Sequence, residues 1–185
     1  LEEKLAVAEE TLYRRGNFNG TFDQVICDAL RKVNDAQISL SPGFRWGTTV
    51  LPGQTITMDN VMDQTCITYP ETYRREMKGS DNLFNADPYY QQGGDMVRLG
   101  GLDYVCEPNQ SFGKRVSNMT LDDGTLIEAD KSYMVAGWAT VGSKSPGRPI
   151  WDVVADYLRD QKQIKIEKLN TPKLVGVEGN PGIAG

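Results

Sequence analysis

Two stretches of this chain set apolar residues at three- and four-residue steps. TFDQVICDALRKV (21–33) aligns Phe22, Val25, Ile26, Ala29, Leu30 and Val33, and IWDVVADYLRDQ (150–161) aligns Ile150, Val153, Val154, Tyr157 and Leu158. Each stripe predicts an amphipathic helix that must bury one face against something. Most of the chain between them reads as short strands and turns. AQISL (36–40), LPGQTIT (51–57) and TCITY (65–69) read as strands or turns into strands. MVRLGGLDYVCEP (96–108) reads as a strand interrupted at Gly100-Gly101, and 115–139 as a hairpin on an Asp-Gly turn followed by a long strand. Leu5, Ala8 and Leu12 predict a further helix over 1–15, Thr21 with Gln24 spells a capping box, and Asp59 is expected to cap a short helix. Helices and strands mix without a βαβ rhythm, so the expected fold class is α+β. The expected division is a helix or linker over 1–20, one domain over 21–165, and a Gly- and Pro-rich tail over 166–185 with little structure of its own.

The chemistry is bounded by what is missing. Among 185 residues there is no histidine, which excludes Ser-His-Asp triads, histidine general bases and most zinc sites. A net charge of −5 argues against nucleic-acid binding, and no apolar run is long enough to span a membrane. Cys27, Cys66 and Cys106 lack CxxC spacing. Cys27 reads as a packed thiol, and a Cys66–Cys106 disulfide is open if their strands are neighbours. The chain opens on Leu1 rather than Met, so the absence of a leader says little about location. Acidic residues are scattered singly, and no pair reads as a catalytic dyad or a metal site.

Three stretches could contact a ligand. In SPGFRWGT (41–48), Gly43 and Gly47 flank Phe44, Arg45 and Trp46. Arg45 offers a permanently charged fork suited to phosphate, sulfate or sulfonate, and the glycines permit close backbone approach. A plain surface turn is the competing reading. In DPYYQQGGDMVR (87–98), Tyr89, Tyr90, Gly93 and Gly94 could line a pocket or pack on the surface. Arg98 would then pair with Asp95 or Asp103. In AGWAT (136–140), Trp138 between small residues could stack on a ligand or pack in the core.

LYRRGNFNGTFDQVICDAL (12–30), SPGFRWGTTVLPGQTIT (41–57) and YYQQGGDMVRLGGLDYVCEP (89–108), followed by YMVAGWA and PIWDVV, occur in the order found in the 5′-nucleotidase C-terminal domain. The details RRGNFNGTFDQ, GFRWGT and DPYYQQGGDMVR are similar to the SoxB-type sulfate thiohydrolases within that family. The resemblance implies the substrate-binding half of a periplasmic hydrolase. Its N-terminal metallophosphoesterase domain would hold dinuclear manganese through Asp, His and Asn ligands, and this chain would hold none. It implies that Arg45 is catalytic, gripping the sulfonate of a cysteine S-thiosulfonate on the SoxYZ carrier protein, whose hydrolysis releases sulfate. The domain by itself is then expected to be inactive. Ser41-Pro42-Gly43 stands where nucleotidases have Asn-Gly-Gly, and Gly137-Trp138-Ala139 where they have Asn-Asp-Phe. Both departures disfavour a nucleotide. The rival readings are a nucleotidase or UDP-sugar hydrolase domain and a non-catalytic module that docks a carrier.

Overall fold

The computed structural model describes residues 1–14, 16–43, 47–80, 96–140 and 147–180. Among them, three helices pack with three small sheets, an α+β arrangement. The helices are α1 (Thr21–Val33), α2 (Met58–Thr65) and α3 (Ile150–Gln161). One sheet has the order β3-β1-β9, built from β1 (Lys4–Ala8), β3 (Thr55–Thr57) and β9 (Gln163–Ile164). The central sheet has the order β4-β8-β2-β5, from β2 (Ile38–Ser41), β4 (Thr72–Lys78), β5 (Arg98–Gly100) and β8 (Ser132–Trp138). The third has the order β10-β6-β7, from β6 (Leu102–Cys106), β7 (Val116–Leu121) and β10 (Lys173–Leu174).

The two striped helices behave as their spacing predicts. Phe22, Val25, Ile26, Ala29 and Leu30 of α1 join Ile150, Val153, Val154 and Leu158 of α3 in one apolar cluster, together with Leu5, Ala8 and Ile56 from the first sheet. A second cluster, with Ile38, Leu99, Leu102, Tyr104, Met119 and Val135, joins the central and third sheets.

Several local expectations are corrected. Residues 4–8 form a strand, not a helix: β1 is flanked by β3 antiparallel and β9 parallel, so both of its edges are hydrogen-bonded. Tertiary pairing overrides the helical propensity of its Lys, Leu and Ala residues. TCITY forms no strand, because Thr65 ends α2 and Cys66 caps it. The strand comes later, in the charged segment Thr72–Lys78, where Arg74, Arg75 and Glu76 stay exposed. The cap of α2 is Thr57, reciprocally bonded with Asn60, rather than Asp59. Thr21 caps nothing: Gly20 occupies the N-cap, and the Thr21 hydroxyl accepts from the Tyr13 N–H and donates to the Thr11 carbonyl. No disulfide joins the three cysteines, of which Cys66 is exposed and the other two are buried. Burial pushes the Cys27 thiol up to about 12, which keeps it protonated and inert. The segment after Asn170 carries one short strand, β10, parallel to β6.

Candidate functional site

The register of the central sheet gathers distant segments at one end. β2 runs parallel to β8, with Leu40 opposite Gly137, and antiparallel to β5, with Ser41 opposite Arg98. β4 runs antiparallel to β8, with Thr72 opposite Trp138. The C-terminal ends of β2 and β8 therefore meet the N-terminal ends of β4 and β5. Pro42 leaves that end toward residues 43–47, Met96 and Val97 enter it from 81–95, and Ala139 leaves it.

A cavity of about 260 Å³ opens there, lined by Leu40, Ser41, Pro42, Tyr73, Arg75, Val97, Trp138, Ala139 and Thr140. Its walls are aromatic and aliphatic with a few polar groups, the composition of a small-ligand site. Arg75 lies over the Tyr73 ring, 4.7 Å from its centroid, and brings a cation to the wall. Gly137 makes room for this pair: a Cβ there would stand 2.3 Å from the Tyr73 hydroxyl oxygen. Trp138 is only 4 % exposed, and its indole Nε1–H donates to the Ser41 hydroxyl at 2.9 Å. It is thus packed in the core and also lines the cavity. A wider, more polar cleft of about 490 Å³ lies against α2, lined by Thr48, Asp59, Asn60, Met62, Asp63 and Cys66. Among the described residues no aromatic side chain lines that cleft.

Behind the cavity lies a buried ion cluster. Asp23 accepts from Arg14 Nε at 2.8 Å and from Arg98 Nε at 3.2 Å, and none of the three side chains is exposed. Burial pushes the Asp23 carboxyl up, while the two guanidiniums pull it down. Arg98 therefore pairs with Asp23 and not with Asp103, whose carboxylate accepts from Lys168 at 2.6 Å. The guanidiniums also donate to backbone carbonyls. Arg14 Nη2 reaches Pro42 at 2.8 Å and Arg14 Nη1 reaches Gln64. Arg98 reaches Met96 at 3.1 Å, Asn17 at 3.2 Å and Gly16 at 2.6 Å.

Of the residues singled out from sequence, the structure places Gly43, buried, at the exit of β2, and Trp138 at the exit of β8. Phe44, Arg45, Trp46, Tyr89, Tyr90, Gly93, Gly94 and Asp95 lie outside the described residues. Tyr73 and Arg75 were missed, since nothing in a charged strand marks a cavity wall. Arg14 and Asp23 were missed too, although an aspartate beside an apolar helical stripe is a visible signal of a buried pair. Among the described residues no group of three His, Cys, Asp or Glu is placed to hold a metal ion. No helix among them is long and apolar enough to cross a membrane.

The sequence pattern of the 5′-nucleotidase, C-terminal domain, matches residues 4–155. No curated protein sequence matches the chain. Among solved structures, the sulfate thiohydrolase SoxB of Thermus thermophilus, in complex with glycerol, is 33% identical with a TM-score of 0.80, covering 94% of this chain and 35% of its own. A 5′-nucleotidase precursor, also from Thermus thermophilus, is 17% identical with a TM-score of 0.77, covering 95% of this chain and 40% of its own. A putative 5′-nucleotidase from Staphylococcus aureus, in complex with alpha-ketoglutarate, is 15% identical with a TM-score of 0.70, covering 94% of this chain and 41% of its own. The last two share the fold. The chain spans little more than a third of the length of these proteins. On the match over residues 4–155 and the likeness to SoxB, the chain belongs to the 5′-nucleotidase C-terminal domain family, which includes hydrolases.

Proposed function

We propose that this chain is the substrate-binding domain of a periplasmic sulfate thiohydrolase of the SoxB type. The observation that carries the reading is 33% identity over 94% of the chain to SoxB, against 17% and 15% to the two nucleotidases. A structural detail supports it. The two motifs that depart from the nucleotidase pattern touch each other, because Trp138 of Gly137-Trp138-Ala139 donates to Ser41 of Ser41-Pro42-Gly43. They form one altered wall rather than two unrelated changes.

The substrate is a cysteine S-thiosulfonate on a carrier protein of the SoxYZ kind. Water adds to the sulfonate sulfur, the S–S bond to the carrier's sulfane sulfur breaks, and that sulfur leaves with the electron pair. The released product is sulfate. Arg45 is the group of this chain that meets the sulfonate: its fixed charge and planar donor fork suit oxygens on which negative charge grows. On the same reading Gly43, Phe44, Trp46 and Trp138 also contribute to substrate binding, and Tyr89, Tyr90, Gly93 and Gly94 serve the carrier's arm. Dinuclear manganese would activate the water, and it belongs to the metallophosphoesterase domain of the longer protein. On this reading the metal ligands lie in that other domain, and this chain is expected to be inactive by itself.

The test uses the full-length protein, with metal analysis and sulfate release from a thiosulfonate-loaded carrier. Arg45→Ala is expected to lower sulfate release by about a hundredfold or more while the metals stay bound. Hydrolysis of AMP with no sulfate release would overturn the reading in favour of a nucleotidase, for which Tyr73 and Trp138 would offer stacking faces. Carrier binding with neither activity would favour a docking module.

A further inference from the structure

The buried cluster touches the roots of two of the three segments that the sequence marked for ligand contact. Pro42, whose carbonyl accepts from Arg14, is two residues ahead of Phe44. Met96, whose carbonyl accepts from Arg98, directly follows 81–95. Gly16 and Asn17 follow the Arg14-Arg15 pair and accept from Arg98. One carboxylate, Asp23, holds both guanidiniums.

The far foot of the 43–47 segment is held through the same arginine. Arg14 donates to the Gln64 carbonyl, and the Gln64 side chain donates through Nε2 to the Thr48 carbonyl at 2.8 Å. The Thr48 N–H donates to Asp63. Gly47 sits at φ +104°, where a Cβ would run into the Gln64 carboxamide 2.2 Å away. Gln64 is 1 % exposed. Pro42 and Thr48, on either side of 43–47, are thus both tied to a guanidinium that water does not reach.

We infer that Arg14 is a positioning residue: locked on Asp23, it holds Pro42 directly and Thr48 through Gln64, the described residues on either side of 43–47, and thereby governs the work proposed for Arg45. Only an arginine fits the task. It needs three donors in one plane, aimed at a carboxylate and two carbonyls, and a lysine ammonium cannot fork in that way. Asp23 gives the fork its charge partner, and Arg98 on the other carboxylate oxygen ties the root at Met96 to the same point. The consequence for catalysis rests on the role proposed above for Arg45, whereas the bracing itself does not.

The test compares Arg14→Lys and Gln64→Leu in the full-length protein. Gln64→Leu leaves the ion cluster intact and removes only the side-chain bond to the Thr48 carbonyl, so it reports even if Arg14→Lys fails to fold. Hydrogen exchange of a peptide covering 43–48 is expected to speed up by about tenfold in each folded variant, with 21–33 unchanged in Gln64→Leu. Unchanged exchange at 43–48 in Gln64→Leu overturns the inference. In sulfate release, kcat/KM is expected to fall about tenfold in Gln64→Leu, and Gln64→Leu combined with Arg45→Ala should be no slower than Arg45→Ala alone. If Arg45→Ala is crippling and the two effects instead multiply, Gln64 and Arg14 act on something other than Arg45, and the inference falls. If Arg45→Ala leaves sulfate release intact, the catalytic role of Arg45 fails, and exchange alone decides the brace.

Discussion

Asp28 shows how a single half-buried side chain sets a pH dependence. It sits on α1 facing a polar cleft, accepts from Gln24 Nε2 at 2.9 Å and lies 3.9 Å from Arg31. Burial pushes its carboxyl up to about 6, with Asp122 and Glu167 adding to the rise and Arg31 opposing it. A raised carboxyl favours the folded state while protonated. That contribution is complete below about pH 4 and is lost as pH climbs to 6. Asp28→Asn keeps the acceptor for Gln24 and removes the titration. The variant is expected to be more stable than the parent at pH 7–8 by about 2 kcal/mol and equal to it near pH 4, measured by urea unfolding across that range. A constant difference at all pH values would show that Asp28 is not the titrating group.

At the scale of elements, the Gly100-Gly101 pair decides where one sheet ends and another begins. Gly101 holds φ +79° between β5 and β6, and a Cβ there would stand 2.4 Å from the Gln37 carbonyl oxygen. Gly124 holds a similar φ of +85° in the turn after β7 with nothing within 4 Å. The two positions separate backbone strain from collision. Gly124→Ala is expected to cost about 1 kcal/mol, and Gly101→Ala about 3 kcal/mol, read from thermal unfolding. Equal losses would mean that the chain around Gln37 yields. The break at this pair was legible in the sequence, as were both striped helices, because glycine pairs and 3.6-residue spacing act locally. β1 and β4 were not legible. Their pairing depends on partners as distant as Gln163 for β1 and Ser132 for β4, and no local pattern contains that information.

Asn170 ties the whole molecule together. It is 1 % exposed and far from its partners in sequence. Its Oδ1 accepts from the Gly101 N–H at 2.9 Å and from Gln24 at 3.1 Å, and its Nδ2 donates to Asp122 at 3.0 Å. Its own N–H donates to Gln24 Oε1, and its carbonyl accepts from Asn19. One side chain therefore joins the C-terminal segment to α1, to the β5–β6 break and to the turn after β7. Asn170→Ala leaves a buried amide N–H and a buried Gln24 donor without their partner, and is expected to cost about 3 kcal/mol. A lower urea midpoint at unchanged slope would confirm this, and an unchanged midpoint would refute it. The same site separates what each level of description determined. The sequence by itself determined the α+β class, the two packed helices, the exclusion of histidine chemistry and the family, because periodicity, composition and motif order are properties of the chain read in line. The tertiary structure alone decided that Ser41 meets Trp138, that Arg75 and Tyr73 wall the cavity, and that Asp23 gathers Arg14 and Arg98. Those contacts join residues up to 97 positions apart, and which distant polar groups meet out of water is set by sheet register and by the need to pair every buried charge.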